Sequence, residues 1–138
     1  MGSAEIPYHP DADLTTDSLI RVYSCVTRLE KLRDVITEWL TSCVEPPGNG
    51  EAAGQICNPP ACLGAIRRRI DITLRSIEKG RRRPSQKFVR AVGLIDAELK
   101  AHEHEFAGMG TRTDKAYGRR LRKALSEAVT LRDRLADQ

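Results

Sequence analysis

Apolar residues return at steps of three and four in four separate runs of this chain, and nowhere do they alternate with polar ones. Those steps put side chains on one face of a helix, whereas a half-buried strand needs a period of two. The clearest run is Leu63, Ile66, Ile70, Leu74 and Ile77. Phe88, Val92, Ile95, Leu99, His102 and Phe106 form a second. Tyr117, Leu121, Ala124, Ala128, Leu131 and Leu135 form a third. The N-terminal run, Leu19, Val22, Val26, Leu29, Ile36, Leu40 and Cys43, is broken at Arg33. The chain therefore reads as all-α: a four-helix bundle or paired helical hairpins. A second copy can also cover such stripes, so a homodimer is the expected assembly.

Local signals set the expected boundaries. Helix 1 should run from about Thr16 to Val44 and stop at Pro46-Pro47-Gly48. Residues 45–58 read as a loop, and residues 1–14 as a flexible N-terminal segment outside a single helical domain of residues 15–138. Asn58-Pro59 should open helix 2, with Asn as cap and Pro in the first turn, and Gly80 should close it. Helix 3 follows Pro84-Ser85 and ends at Gly108 and Gly110; helix 4 opens at Thr113-Asp114.

No run of eighteen apolar residues exists, so no membrane span is expected. The opening MGSAEIPYHPDADL lacks the basic start and apolar stretch of a signal peptide, and Ile6 stands where a myristoylation signal carries Ser or Thr. An intracellular site, cytoplasmic or nuclear, is the expectation, with the four cysteines as thiols. Cys25 and Cys43 share a helix face and read as small core residues. Cys43, Cys57 and Cys62 flank the loop, where one disulfide is geometrically conceivable. His102 and His104 sit two apart on a helix and so face different ways. No zinc site is expected, nor any other cofactor. No H-E-x-x-H, G-x-S-x-G or phosphate-binding glycine loop occurs, and the chain is not expected to be an enzyme.

Charge carries the functional expectation. Residues 1–58 hold four basic and nine acidic side chains; residues 59–138 hold nineteen basic and ten acidic. The basic residues fall in three groups. The first is Arg67, Arg68 and Arg69, with Arg75 one to two turns on. The second is Lys79, Arg81, Arg82, Arg83, Lys87 and Arg90. The third is Arg112, Lys115, Arg119, Arg120, Arg122 and Lys123, of which Arg119, Arg120 and Lys123 are the candidate contacts. In an up-down bundle helices 2 and 4 start at one end, bringing the first and third groups there and leaving the second at the other. Such clusters suit phosphates, whose neutralisation releases counterions. Few aromatics lie among them, so duplex backbone, DNA or RNA, fits better than stacking on single strands. The competing reading is an ordinary solvated surface, its arginines paired with Asp71, Glu78 and Glu127, or a basic face meeting an acidic protein partner.

Thr73, Leu74, Ile77, Glu78 and Gly80 are followed by Arg82, Pro84 and Ser85, then by Phe88, Val89 and Val92. This pattern, within residues 70–94, resembles the Cro/C1-type (XRE-like) helix-turn-helix family. Upstream, Asn58-Pro-Pro-Ala-Cys-Leu63 stands where that family carries Thr-Gln-x-x-Leu-Ala, and Arg68 stands at the turn glycine. The resemblance implies a recognition helix over Ile70–Ile77. Asp71, Ile72, Thr73, Arg75 and Ser76 would then lie near the major groove, with Lys79, Arg81, Arg82 and Arg83 at phosphates.

Overall fold

A computed structural model of the chain describes residues 16–42, 58–79, 83–103 and 111–137. Among the described residues four helices pack together: α1 (Thr16–Ser42), α2 (Leu63–Lys79), α3 (Pro84–Ala101) and α4 (Arg112–Ala136). The expected loop 45–58 apart from its last residue, the N-terminal segment, Gly80, His104, Phe106, Gly108 and Gly110 lie outside the described residues.

The stripes of α2 and α3 are where the spacing puts them. Leu63, Ile66, Ile70, Leu74 and Ile77 are buried, as are Phe88, Val92, Ile95 and Leu99. On α4, Leu121, Ala124 and Ala128 are buried, while Tyr117, Leu131 and Leu135 pack against the core from its edge. The small alanines let α4 approach closely.

On α1 the core face is rotated from the expected one. Cys25, Leu29, Leu32, Val35, Ile36 and Trp39 are buried; Leu19 is 54% exposed, and Val22, Val26 and Leu40 lie at the margin. Both tracks run in steps of three and four and share Leu29 and Ile36. Burial follows the one that contains Trp39, the largest apolar side chain available. Arg33 thereby leaves the interior and reaches Asp71 of α2, with Nη1 to Oδ1 at 3.7 Å.

Two helix starts differ from expectation. The first described helical residue after Pro59 and Pro60 is Leu63, whose N–H donates to the Pro60 carbonyl at 3.2 Å. Asn58 does not cap α2; its backbone N–H donates to both carboxylate oxygens of Asp114, at 2.9 and 2.8 Å. The cap of α4 is Thr111 rather than Thr113. Its hydroxyl accepts from the Asp114 N–H at 3.2 Å, and the Asp114 carboxylate accepts from the Thr111 N–H at 2.9 Å, a capping box.

The order of helices around the bundle decides everything about the surface. α1 lies beside α2 and α4, and α3 lies beside the same two. α1 and α3 also touch, so the long diagonal of the cross-section runs from α2 to α4. α1 and α4 are antiparallel, with Lys31 opposite Glu127 at 3.3 Å and Glu38 opposite Arg120 at 3.0 Å. Continued along both helices, this register brings α4 to its end before α1 reaches its first turn. Leu19, Ile20 and Tyr23 are left 54%, 57% and 71% exposed.

Candidate nucleic-acid interface

The outward face of α2 is a basic ridge. Arg68, Ile72, Arg75 and Lys79 recur at four, three and four residues and are all exposed, with exposed Arg69 on the flank. Arg68 and Lys79 are eleven residues apart, about 16 Å along a helix. Ile72, 57% exposed, interrupts the ridge with an apolar side chain. The opposite face of α2 is its core stripe, which fixes the ridge toward solvent.

The outward face of α4 is a second ridge. Arg112, Lys115, Arg119, Arg122 and Lys123 are exposed around the side opposite Leu121, Ala124 and Ala128. The candidate set included Arg119 and Lys123 but left out Arg112, Lys115 and Arg122. The helical spacing alone would have joined them: Arg112, Lys115, Arg119 and Lys123 step by three, four and four.

Pairing separates available cations from occupied ones. Arg120 Nη1 lies 3.0 Å from Glu38 Oε1, and its Cζ sits 5.1 Å from the centre of the Tyr117 ring. The hydrogen bond to Glu38 raises the guanidinium's pKa above its ordinary value. Arg120 is thus a tie between α1 and α4 rather than a free contact. Lys87 Nζ donates to the Ser76 carbonyl at 3.1 Å, satisfying a carbonyl in the last turn of α2. Arg83 Nη1 is 3.4 Å from Gln86. Of the three acids expected to pair with the candidates, Asp71 and Glu127 are held by Arg33 and Lys31 of α1 instead, while exposed Glu78 makes no ion pair with a described residue. Arg67, Arg68, Arg69, Arg75, Lys79 and Arg90 of α2 and α3 have no ion pair with any described residue, and the same holds for Arg119 and Lys123 of α4. Arg67 is half-buried beside the core stripe, and Arg90 projects from α3. Arg81 and Arg82 lie outside the described residues.

The first and third groups do share an end of the bundle, as the 2.8 Å contact from Asn58 to Asp114 shows. They do not share a side. α2 and α4 occupy opposite corners, so their outward ridges point away from each other. Between them on one flank runs α1, whose outward residues Glu30, Asp34 and Glu38 are exposed acids at four-residue steps.

The helix-turn-helix geometry expected from the resemblance needs a turn ahead of the recognition segment. Residues 63–79 instead form one unbroken helix through Arg68. Asp71 is drawn toward Arg33, and the Thr73 hydroxyl donates to the Arg69 carbonyl at 2.9 Å.

Of the candidate thiols, Cys62 is half-buried against the core, and Cys43 and Cys57 lie outside the described residues; Cys25 is fully buried. Among the described residues no group of three or more His, Cys, Asp or Glu side chains is placed to hold a metal ion. No described helix is long and apolar enough to cross a membrane. Comparison with protein families, with curated proteins and with solved structures finds no match.

Proposed function

We propose that this chain is a non-enzymatic nucleic-acid-binding protein that engages duplex phosphates through arginines and lysines on rigid helices. The observation that carries this reading is the set of basic side chains on the outward ridges of α2 and α4 that make no ion pair with a described residue, while Asp71 and Glu127 are taken by α1. Arginine forks suit phosphate oxygens, and such contacts position a protein without reading sequence. A duplex-binding titration followed by gel shift or anisotropy tests it. Four or five phosphate contacts should weaken binding roughly 150- to 500-fold between about 50 and 200 mM salt. Absence of binding to any DNA or RNA duplex at low salt rejects the reading.

A second reading is a helical module for an acidic protein partner. The exposed Ile72 within the α2 ridge favours it, because apolar surface ringed by arginine is what a protein interface presents. Self-association belongs to the proposal as well: Leu19, Ile20 and Tyr23 offer apolar surface to a second copy. Light scattering on the eluting protein measures it directly.

A further inference from the structure

We infer that one chain carries two independent duplex-binding faces and bridges two nucleic-acid segments; this rests on the phosphate-binding reading above and says how that site is organised. The helix order supplies the geometry. α2 and α4 stand at the ends of the long diagonal, each with its core stripe turned inward. With helices roughly 10 Å apart and side chains reaching outward, the two ridges are separated by about 25 Å. A duplex seated on one ridge therefore cannot touch the other without bending around the bundle.

Electrostatics keeps the faces separate. The screening length is roughly 8 Å at physiological salt, so charges on opposite sides of the bundle hardly feel each other. On the α1 side the exposed acids Glu30, Asp34 and Glu38 are interleaved with exposed Lys31, Asp34 lying 3.8 Å from Arg33 and Glu38 3.0 Å from Arg120, so this flank offers a crossing backbone no continuous basic track. On the α3 side, exposed Gln86, Leu94 and Ala97 are uncharged; the exposed basic residues are Arg83 at the helix start, Arg90, and Lys100, which pairs with Asp96 at 3.3 Å. Among the described residues, the densest basic surface lies in two patches of similar strength. The α2 patch is Arg68, Arg69, Arg75 and Lys79; the α4 patch is Arg112, Lys115, Arg119, Arg122 and Lys123.

Two measurements on the full chain test this. The salt slope for a single duplex distinguishes one face from both. Use of one face gives a log–log slope of roughly −4, and all nine cations on one duplex give roughly −8. The second measurement is retention of a fluorescent duplex on beads carrying an unlabelled duplex. Wild type should retain it. Two variants remove one face each: Arg68→Gln/Arg69→Gln/Arg75→Gln/Lys79→Gln and Lys115→Gln/Arg119→Gln/Arg122→Gln/Lys123→Gln. All these positions are exposed, and an unchanged melting curve verifies the fold. Each variant should bind one duplex within roughly 3-fold of wild type, while retention drops at least roughly 10-fold, because the cations of one face still supply counterion release. Retention that survives in either variant overturns the inference, since the bridge then runs through associated copies. A slope near −8 with no retention by wild type also overturns it and leaves duplex binding intact. Failure of wild type to bind any duplex removes the underlying reading itself.

Discussion

Asp114 accepts hydrogen bonds from three separate parts of the chain. The Trp39 indole donates at 2.8 Å, the Asn58 N–H at 2.8 Å and the Thr111 N–H at 2.9 Å. At 5% exposure, burial pushes its pKa up, yet the donors together outweigh burial and hold it below 3.8. A lowered folded-state pKa means that the unfolded chain takes up the proton first on acidification. The stabilisation is therefore complete above about pH 4 and fades as pH falls through the folded-state value. Asp114→Ala should cost about 2–4 kcal/mol by stranding the Trp39 and Asn58 donors, lowering the melting temperature by roughly 5–15 °C. The Asp114→Asn variant cannot titrate. Its urea midpoint should lie below that of wild type at neutral pH, and the gap should narrow toward pH 3. This residue shows where sequence reading reaches its limit. An acid in the first turn of α4 is legible from Thr and Asp beside an apolar run. That it is buried, and that an indole 75 residues away donates to it, depends on which helix faces which.

Among the elements, α2 was the most legible and α1 the least. The α2 stripe has one reading, since its other positions are Gly, Ala, Arg, Asp, Thr, Ser, Glu and Lys, with exposed Ile72 as the one large apolar exception. On α1, Leu, Val, Ile and Cys occupy two adjacent tracks, and spacing alone does not choose between them. Contact with Tyr117 chooses: its ring stacks on Trp39 with centroids 5.9 Å apart, and its hydroxyl lies 2.9 Å from Ser42 Oγ. The turn into α3 has a cost of its own. Arg83 caps α3 at φ 49°, in the left-handed region, with no side-chain capping bond. That conformation costs a non-glycine residue about 1–2 kcal/mol. Glycine removes the clash but loses up to about 1 kcal/mol to its freer unfolded state. Arg83→Gly should thus stabilise by about 0.5–1 kcal/mol, raising the melting temperature by roughly 1–4 °C in a thermal melt.

For the whole molecule, the sequence made plain that the C-terminal part is basic and the N-terminal part acidic. It did not say how these charges are arranged in section. Helix order about the axis follows from how the connections pass and which stripes match, and no run of residues encodes it alone. With α2 and α4 at opposite corners, the outward face of α1, with Glu30 and Asp34 on it, lies between two basic faces. Neutralising it should fuse them on that flank. Glu30→Gln/Asp34→Asn should raise low-salt affinity for a duplex roughly 3- to 10-fold and steepen the salt slope beyond −4, read by the same anisotropy titration. An unchanged slope would show that the flank is not approached.

The Asp114 junction also restricts how a sequence like this one can drift. Position 58 lends its main chain alone, so any residue except proline serves there. Positions 39, 111 and 114 are bound to one another through their side chains, and a descendant that swaps the carboxylate for an oily group must also give up the indole and the hydroxyl that answer to it.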